Sequence, residues 1–335
     1  MDQPAHRRVP GCRCFLGAMT GMDIFRIPLE RLVLLVVASL VIFAAMNLLP
    51  GDPAAVMLGL DASPESLAAL HQKLGLESSL PTRYAHWISA FIRGDLGRSY
   101  IYDVPVRSLI GERLQSSLPL IFLAMLLSLG AGIPLGVMAG AKRGTLLDTG
   151  LMGFLQLFKS IPDFWLAMMM TFLFSLTLHW LPSSGFPGWH DGALPALRAL
   201  TLPAIALAIP QAAITARFMR SSLIETLSQD FIRTARAQGY STRGALWRIA
   251  LPNALIPVLT LAGIQLPVLV TGTIIVESVF SLPGCGKLLL EAVNQRDIPV
   301  VQNLVMLIVA SVMVLNVLMA VLVRWLDPRI GTDPS

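Results

Sequence analysis

Charge is scarce in this chain. Only 13% of its 335 residues are Asp, Glu, Lys or Arg, against about 25% in soluble domains. With 55% hydrophobic residues and a mean hydropathy of +0.69, a soluble fold would expose apolar patches large enough to drive aggregation. A soluble globule is therefore excluded. Cysteine is scarce too. The pair Cys12 and Cys14 has no second half and Cys285 stands alone, so neither a disulfide framework nor a zinc spacing is present. None of the five histidines, His6, His71, His86, His179 and His190, stands at ligand spacing from another His or Cys. No Ser-His-Asp or Cys-His arrangement can be defended. PGCGK at 283–287 departs from the phosphate-binding loop, because one residue rather than four separates Gly284 from the Gly-Lys pair and Leu288 replaces Ser or Thr. No LSGGQ-like stretch occurs either. The chain thus has no means of its own to hydrolyse ATP, and no motif marks it as an enzyme.

What is present is apolar length. Six runs are long enough to span a bilayer, which needs about 20 residues per helix: Leu32–Leu49, Ser117–Gly140, Leu151–Leu178, Ala199–Met219, Ala254–Val279 and Leu304–Val323. They predict an all-α polytopic membrane protein. Pro134, Pro162, Pro203, Pro210, Pro257 and Pro267 fall inside them, as membrane helices tolerate when neighbours re-satisfy the freed carbonyls. The first run is too long for a signal-peptide core and lacks a small-residue cleavage site, so it reads as an uncleaved span. Residues 1–21 show no periodicity and read as a flexible tail or as an overlong start before Met22.

Basic residues orient the runs. The second and fourth connections carry Lys142, Arg143, Arg217, Arg220, Arg233, Arg236, Arg243 and Arg248; the third and fifth carry only Arg198, Lys287 and Arg296. The positive-inside bias puts the richer side, with both chain ends, in the cytoplasm. The pI of about 9.4 then reflects this bias rather than nucleic acid. The resulting map is a cytoplasmic tail at 1–30, a first span at 31–50, a partly helical periplasmic region at 51–113, a five-helix unit at 114–325 and a cytoplasmic tail at 326–335. Within the long loop, SPESLAALHQKLG predicts a helix capped by Ser63, a second helix precedes FIRGDLGRS, and VRSLIGERLQSSL leads into the second span.

The stretch DFIRTARAQGYSTRGALWRIALP, Asp230–Pro252, is basic and half apolar. Gly239 separates two helical patterns, so it predicts helix, tight turn, helix lying beneath the membrane. One reading is an interfacial helix greeting anionic lipid; the other is a docking element for a cytoplasmic partner. Intramembrane ionisable groups are further candidates. Lys159 and Asp163 stand four apart, hence on one helix face, as a self-neutralising pair near a kink at Pro162 or as pathway lining. Glu277, with Thr271 and Thr273 just inward, is either a gate or substrate contact or an interfacial carboxylate.

The same stretch resembles the E-A-A-x-x-x-G-x9-I-x-L-P loop of permease subunits in binding-protein-dependent ABC importers. Ala235, Gly239, Ile249, Leu251 and Pro252 match it, while Arg233 and Thr234 replace the first two residues, as in the dipeptide/oligopeptide/nickel class. Other landmarks of that class follow in order: LPGDPA at 49–54, GDLGRS at 94–99, SIPDFW at 160–165, VESVFSLPG at 276–284, RDIPVVQ at 296–302 and LDPRI at 326–330. The resemblance implies a type I importer permease fold (MetI-like) with six transmembrane helices in the inner membrane. It also implies a homologous second permease, two ATP-binding subunits that hold the ATP and magnesium, and a periplasmic solute-binding protein, with no cofactor on this chain. By the same resemblance, coupling to the ATPase falls on the loop 220–253, at Phe231, Arg233, Thr234, Ala235, Arg236, Gly239, Ile249, Leu251 and Pro252. Gly239 would make the turn, Ala235 would admit the partner closely, and the arginines would meet its acidic surface. The expected cargo is a dipeptide or oligopeptide, with nickel or another small solute as the alternative. An ion-coupled secondary transporter is the rival of a different class; it predicts an inverted repeat and a midplane charge cluster, neither of which the sequence displays. A scaffold subunit without a pathway is the remaining reading.

Overall fold

A computed structural model describes residues 23–48, 53–58, 63–73, 75 and 78–326; Cys12, Cys14 and the stretch 1–21 lie outside them. Among the described residues the chain is helical, with no strand beyond an isolated bridge between Arg98 and Pro105. Helix α1 (Asp23–Leu48) begins inside the expected first tail. Three short helices follow: α2 (Pro53–Leu58), α3 (Pro64–Lys73) and α4 (Leu80–Ile92). Ser63 caps α3 as its pattern predicts, accepting the Ser66 amide at 3.2 Å. Then come α5 (Val106–Ala141), α6 (Leu146–Lys159), α7 (Asp163–Met170, extended by a π turn Thr171–Thr177), α8 (Ala193–Leu227), α9 (Asp230–Ala237), α10 (Thr242–Ala245, with a π turn Leu246–Ala250), α11 (Leu251–Val279), α12 (Cys285–Asn294) and α13 (Ile298–Leu326).

Four helical stretches are long and apolar enough to cross a membrane: Val106–Ala141, Ala193–Leu227, Thr242–Val279 and Ile298–Met319. Helices α6 and α7 make a fifth if they count as one broken span. The sixth expected span corresponds to α1, whose described apolar part, Leu32–Leu48, is shorter. The third predicted run, Leu151–Leu178, is not one straight helix. Its two halves meet at 97°, because Ile161 precedes Pro162 and is disfavoured in the helical region. Hydropathy alone runs smoothly across that break.

Helix α8 is the axis of the bundle. Some 78% of its apolar window is buried, against 33–39% in the other three long spans. It is rich in alanine on its packed faces, and α5 approaches it closely along Gly132, Gly136 and Gly140. A Cβ on Gly136 would lie 2.5 Å from the Ala216 carbonyl and 2.6 Å from the Met219 Cβ; one on Gly132 would lie 2.8 Å from the Ala212 carbonyl. Small residues every fourth position allow such backbone contact where apolar burial alone gives little drive in lipid. On α11, the buried Gln265 amide donates to the Gln211 carbonyl at 3.1 Å and to the Thr215 hydroxyl at 3.2 Å.

Two buried carboxylates lock the end of the bundle away from α9. Glu277 is 0% exposed. Its oxygens accept the Ser117 hydroxyl at 2.6 Å and the Gly286 and Lys287 amides at 2.7 and 3.1 Å. Ser117 in turn accepts the Cys285 amide at 2.8 Å. The carboxylate thus sits on the N-terminus of α12, where free amides and the helix dipole favour negative charge. A Cβ on Gly284 would come within 2.1 Å of the Glu277 carboxyl carbon. Asp297, also 0% exposed, accepts the Tyr100 amide at 3.1 Å and the Ser99 hydroxyl. Nearby, Asn303 donates to the Leu96 carbonyl at 3.0 Å and accepts Trp87 Nε1 at 3.2 Å, and Trp87 stacks on Phe43 of α1.

Candidate coupling surface and pathway residues

Helix α9 owes its shape to local signals. Asp230 complements the dipole at its first turn. At its other end the Gly239 amide donates to the Arg236 carbonyl at 3.0 Å and the Tyr240 amide to the Ala235 carbonyl at 3.2 Å, a Schellman stop with glycine at the left-handed position. Gly239 has φ +94° and open space around it; backbone conformation, not crowding, requires glycine here. Two residues on, Ser241 caps α10 by accepting the Gly244 amide at 3.1 Å. The π turn after it has a covalent cause: Pro252 cannot donate to the Arg248 carbonyl and its ring crowds it.

Packing divides the nine expected coupling residues. Phe231, Arg233, Thr234, Arg236, Gly239 and Pro252 are exposed. Ile249 and Leu251 are half-buried against a cluster formed by Val137, Met219, Leu223, Ile232 and Val258. Ala235 is buried, on the same face of α9 as Ile232. Arg233 meets Asp230 at 3.4 Å, with both side chains more than three-quarters exposed; such a pair contributes at most about 1 kcal/mol. Tyr240 and Trp247 are also exposed, at 42% and 60%, and join the arginines on a mixed aromatic and cationic surface. The available signal was Tyr240 directly after Gly239 and Trp247 between Arg243 and Arg248 in the sequence.

The expected pathway residues separate. The bend puts Lys159 at the end of α6 and Asp163 at the start of α7; they share no helix face and form no ion pair. Glu277 and Thr273 face inward, the latter donating to the Val270 carbonyl at 2.7 Å, and Glu277 is committed to α12. Lys159 and Thr271 are exposed, the Thr271 hydroxyl donating to the Pro267 carbonyl at 3.0 Å. The amides of PGCGK serve the protein's own Glu277. Burial pushes the Cys285 thiol there up to about 11. No group of three or more potential metal ligands occurs among the described residues.

An interaction that sequence order does not reveal joins α6 to α8. Asp148, 2% exposed, accepts Arg220 Nε at 2.5 Å and Nη2 at 2.7 Å, and also the Gly144 amide at 3.0 Å. This bidentate fork commits one of the arginines counted above toward orientation. Beside it opens a cleft of about 420 Å³.

The bundle and its basic, turn-bounded appendage define a polytopic permease fold. A methionine ABC transporter in an inward-facing conformation shares it, with a TM-score of 0.55 at 21% identity over 65% of this chain and 96% of that one. The family model described as binding-protein-dependent transport system inner membrane component matches residues 132–332, and the N-terminal model of such components matches 22–120. The chain belongs to this family of inner-membrane permease components of binding-protein-dependent importers. It is 40% identical over 315 residues, 94% of this chain and all of the relative, to a protein of Brucella abortus (strain 2308) provisionally named a peptide transport system permease protein. A dipeptide transport system permease protein of Alkalihalophilus pseudofirmus is 33% identical over 326 residues (90% of this chain, 98% of the relative). A glutathione transport system permease protein of Salmonella typhi is 35% identical over 296 residues (88% and 94%).

Proposed function

We propose that this chain is one of two permease subunits of an importer for short peptides, with ATP hydrolysed by two partner ATP-binding subunits. A solute-binding protein would deliver the cargo on the periplasmic side, and this chain would bind no cofactor itself. Both chain ends would face the cytoplasm, together with the segment 220–253. The observation that carries the coupling role is α9: one face buried on the bundle, the other exposing Phe231, Arg233, Thr234 and Arg236, with a glycine stop fixing where it ends. A short helix with that division seats in a groove, and its motion passes to α8 through the two-residue link Ser228-Gln229. The names of the relatives, peptide, dipeptide and glutathione permeases, favour a cargo with peptide bonds.

Co-purification tests this. Tagged chain from membranes should bring down the ATP-binding subunits, and Gly239→Val, which forbids the turn, should abolish most of that recovery; unchanged recovery would remove α9 from the coupling role. Uptake of dialanine into proteoliposomes holding the assembled complex should require ATP and the binding protein. Uptake by this chain alone under an ion gradient would hand the case to a secondary transporter. For orientation, a cysteine at Ser241 should label from the cytoplasm and one at Ser79 from outside.

A further inference from the structure

The cleft between α6 and α8 is lined by Asp148, Gln156, Lys159, Arg217 and Arg220 above an apolar floor that includes Leu155. Its single carboxylate, Asp148, is taken by Arg220. Lys159 and Arg217 have no acidic partner among the described residues. The two helices run antiparallel, since Asp148 meets Arg220 while Leu155 packs on Ala213. Side chains lean toward the N-terminus of their own helix, so Lys159 and Arg217 lean toward each other into the same space. Two cations converging there repel unless an anion lies between them.

We infer that this cleft binds the carboxylate of the passing solute. A lipid phosphate could offer similar charge, but the break at Ser160–Pro162 adjoins Lys159, and non-helical backbone at membrane depth is tolerated only against protein or water. The Lys159 side of α6 therefore faces a covered or aqueous space rather than acyl chains. The inference rests on the peptide reading above, because a peptide carries a free C-terminal carboxylate.

The test uses the assembled importer in nanodiscs of phosphatidylcholine, with Gln156→Cys as reporter and Cys12 and Cys14 replaced by serine; Cys285 is buried. A sulfonate-bearing methanethiosulfonate should modify the reporter about tenfold faster than its trimethylammonium analogue, the scale on which a charged cleft concentrates counter-ions. Lys159→Gln and Arg217→Gln, made singly, should each reduce that preference. Dialanine should slow modification, while dialanine amide should not. Absence of the preference, or its survival in both variants, overturns the site. Protection by phosphatidylglycerol in the disc but not by dialanine assigns the cleft to lipid and also overturns it. If wild-type complex takes up no dialanine while the charge preference persists, the peptide reading fails and the anion site stands; uptake without the preference gives the reverse.

Discussion

The end of the bundle at α12 and the end at α9 use charged groups in opposite ways. Around α12 two carboxylates are buried and hydrogen-bonded through both oxygens: Glu277 closes on Ser117, Gly286 and Lys287, and Asp297 on Ser99 and Tyr100. Around α9 and the α6–α8 cleft most cations are exposed, and only Arg220 is tightly held. A buried charge bonded through both oxygens fixes geometry. An exposed charge without a partner is available for one. The contrast separates a rigid cap from working surfaces.

The sharpest way to break this comparison is to remove a carboxylate from the rigid end. Glu277→Ala strands two amides and a hydroxyl, each worth about 1–3 kcal/mol when buried and unpaired. It should cost roughly 3 kcal/mol or more, read as a lowered thermal midpoint in detergent. Gly136→Ala drives a methyl into the Ala216 carbonyl and should cost about 1–3 kcal/mol in the same assay. Gly239→Ala places a side chain at φ +94° and should cost about 1–2 kcal/mol locally, with recovery of the ATP-binding subunits falling more than stability does. Arg233→Glu removes an exposed pair and should move the midpoint by less than about 1 kcal/mol, while still weakening subunit recovery. If Arg233→Glu proved as damaging to the fold as Glu277→Ala, the distinction between the two ends would collapse.

Local signals in the sequence were readable because local physics decides them. Ser63 and its pattern located α3, and Gly239 located the stop of α9. The Gly-Arg-Ser and Arg-Asp-Ile-Pro landmarks could be seen, but not that Asp297 of one holds Ser99 of the other, since nothing in spacing pairs residues 198 positions apart. Asp148 and Arg220 escaped for the same reason. Pro162 marked a kink, but unbroken hydropathy hid a bend as sharp as 97°, and that bend separated Lys159 from Asp163.

The glycine seam between α5 and α8 has a mechanical corollary. Backbones in direct contact cannot slide without collision, so these two helices must travel as one beam. On the coupling role proposed for α9, a push received there cannot be absorbed within that beam. Whatever flexes during a transport cycle must lie elsewhere, and the described residues include two candidate joints: the bend ahead of Pro162 and the widened turn ahead of Pro252.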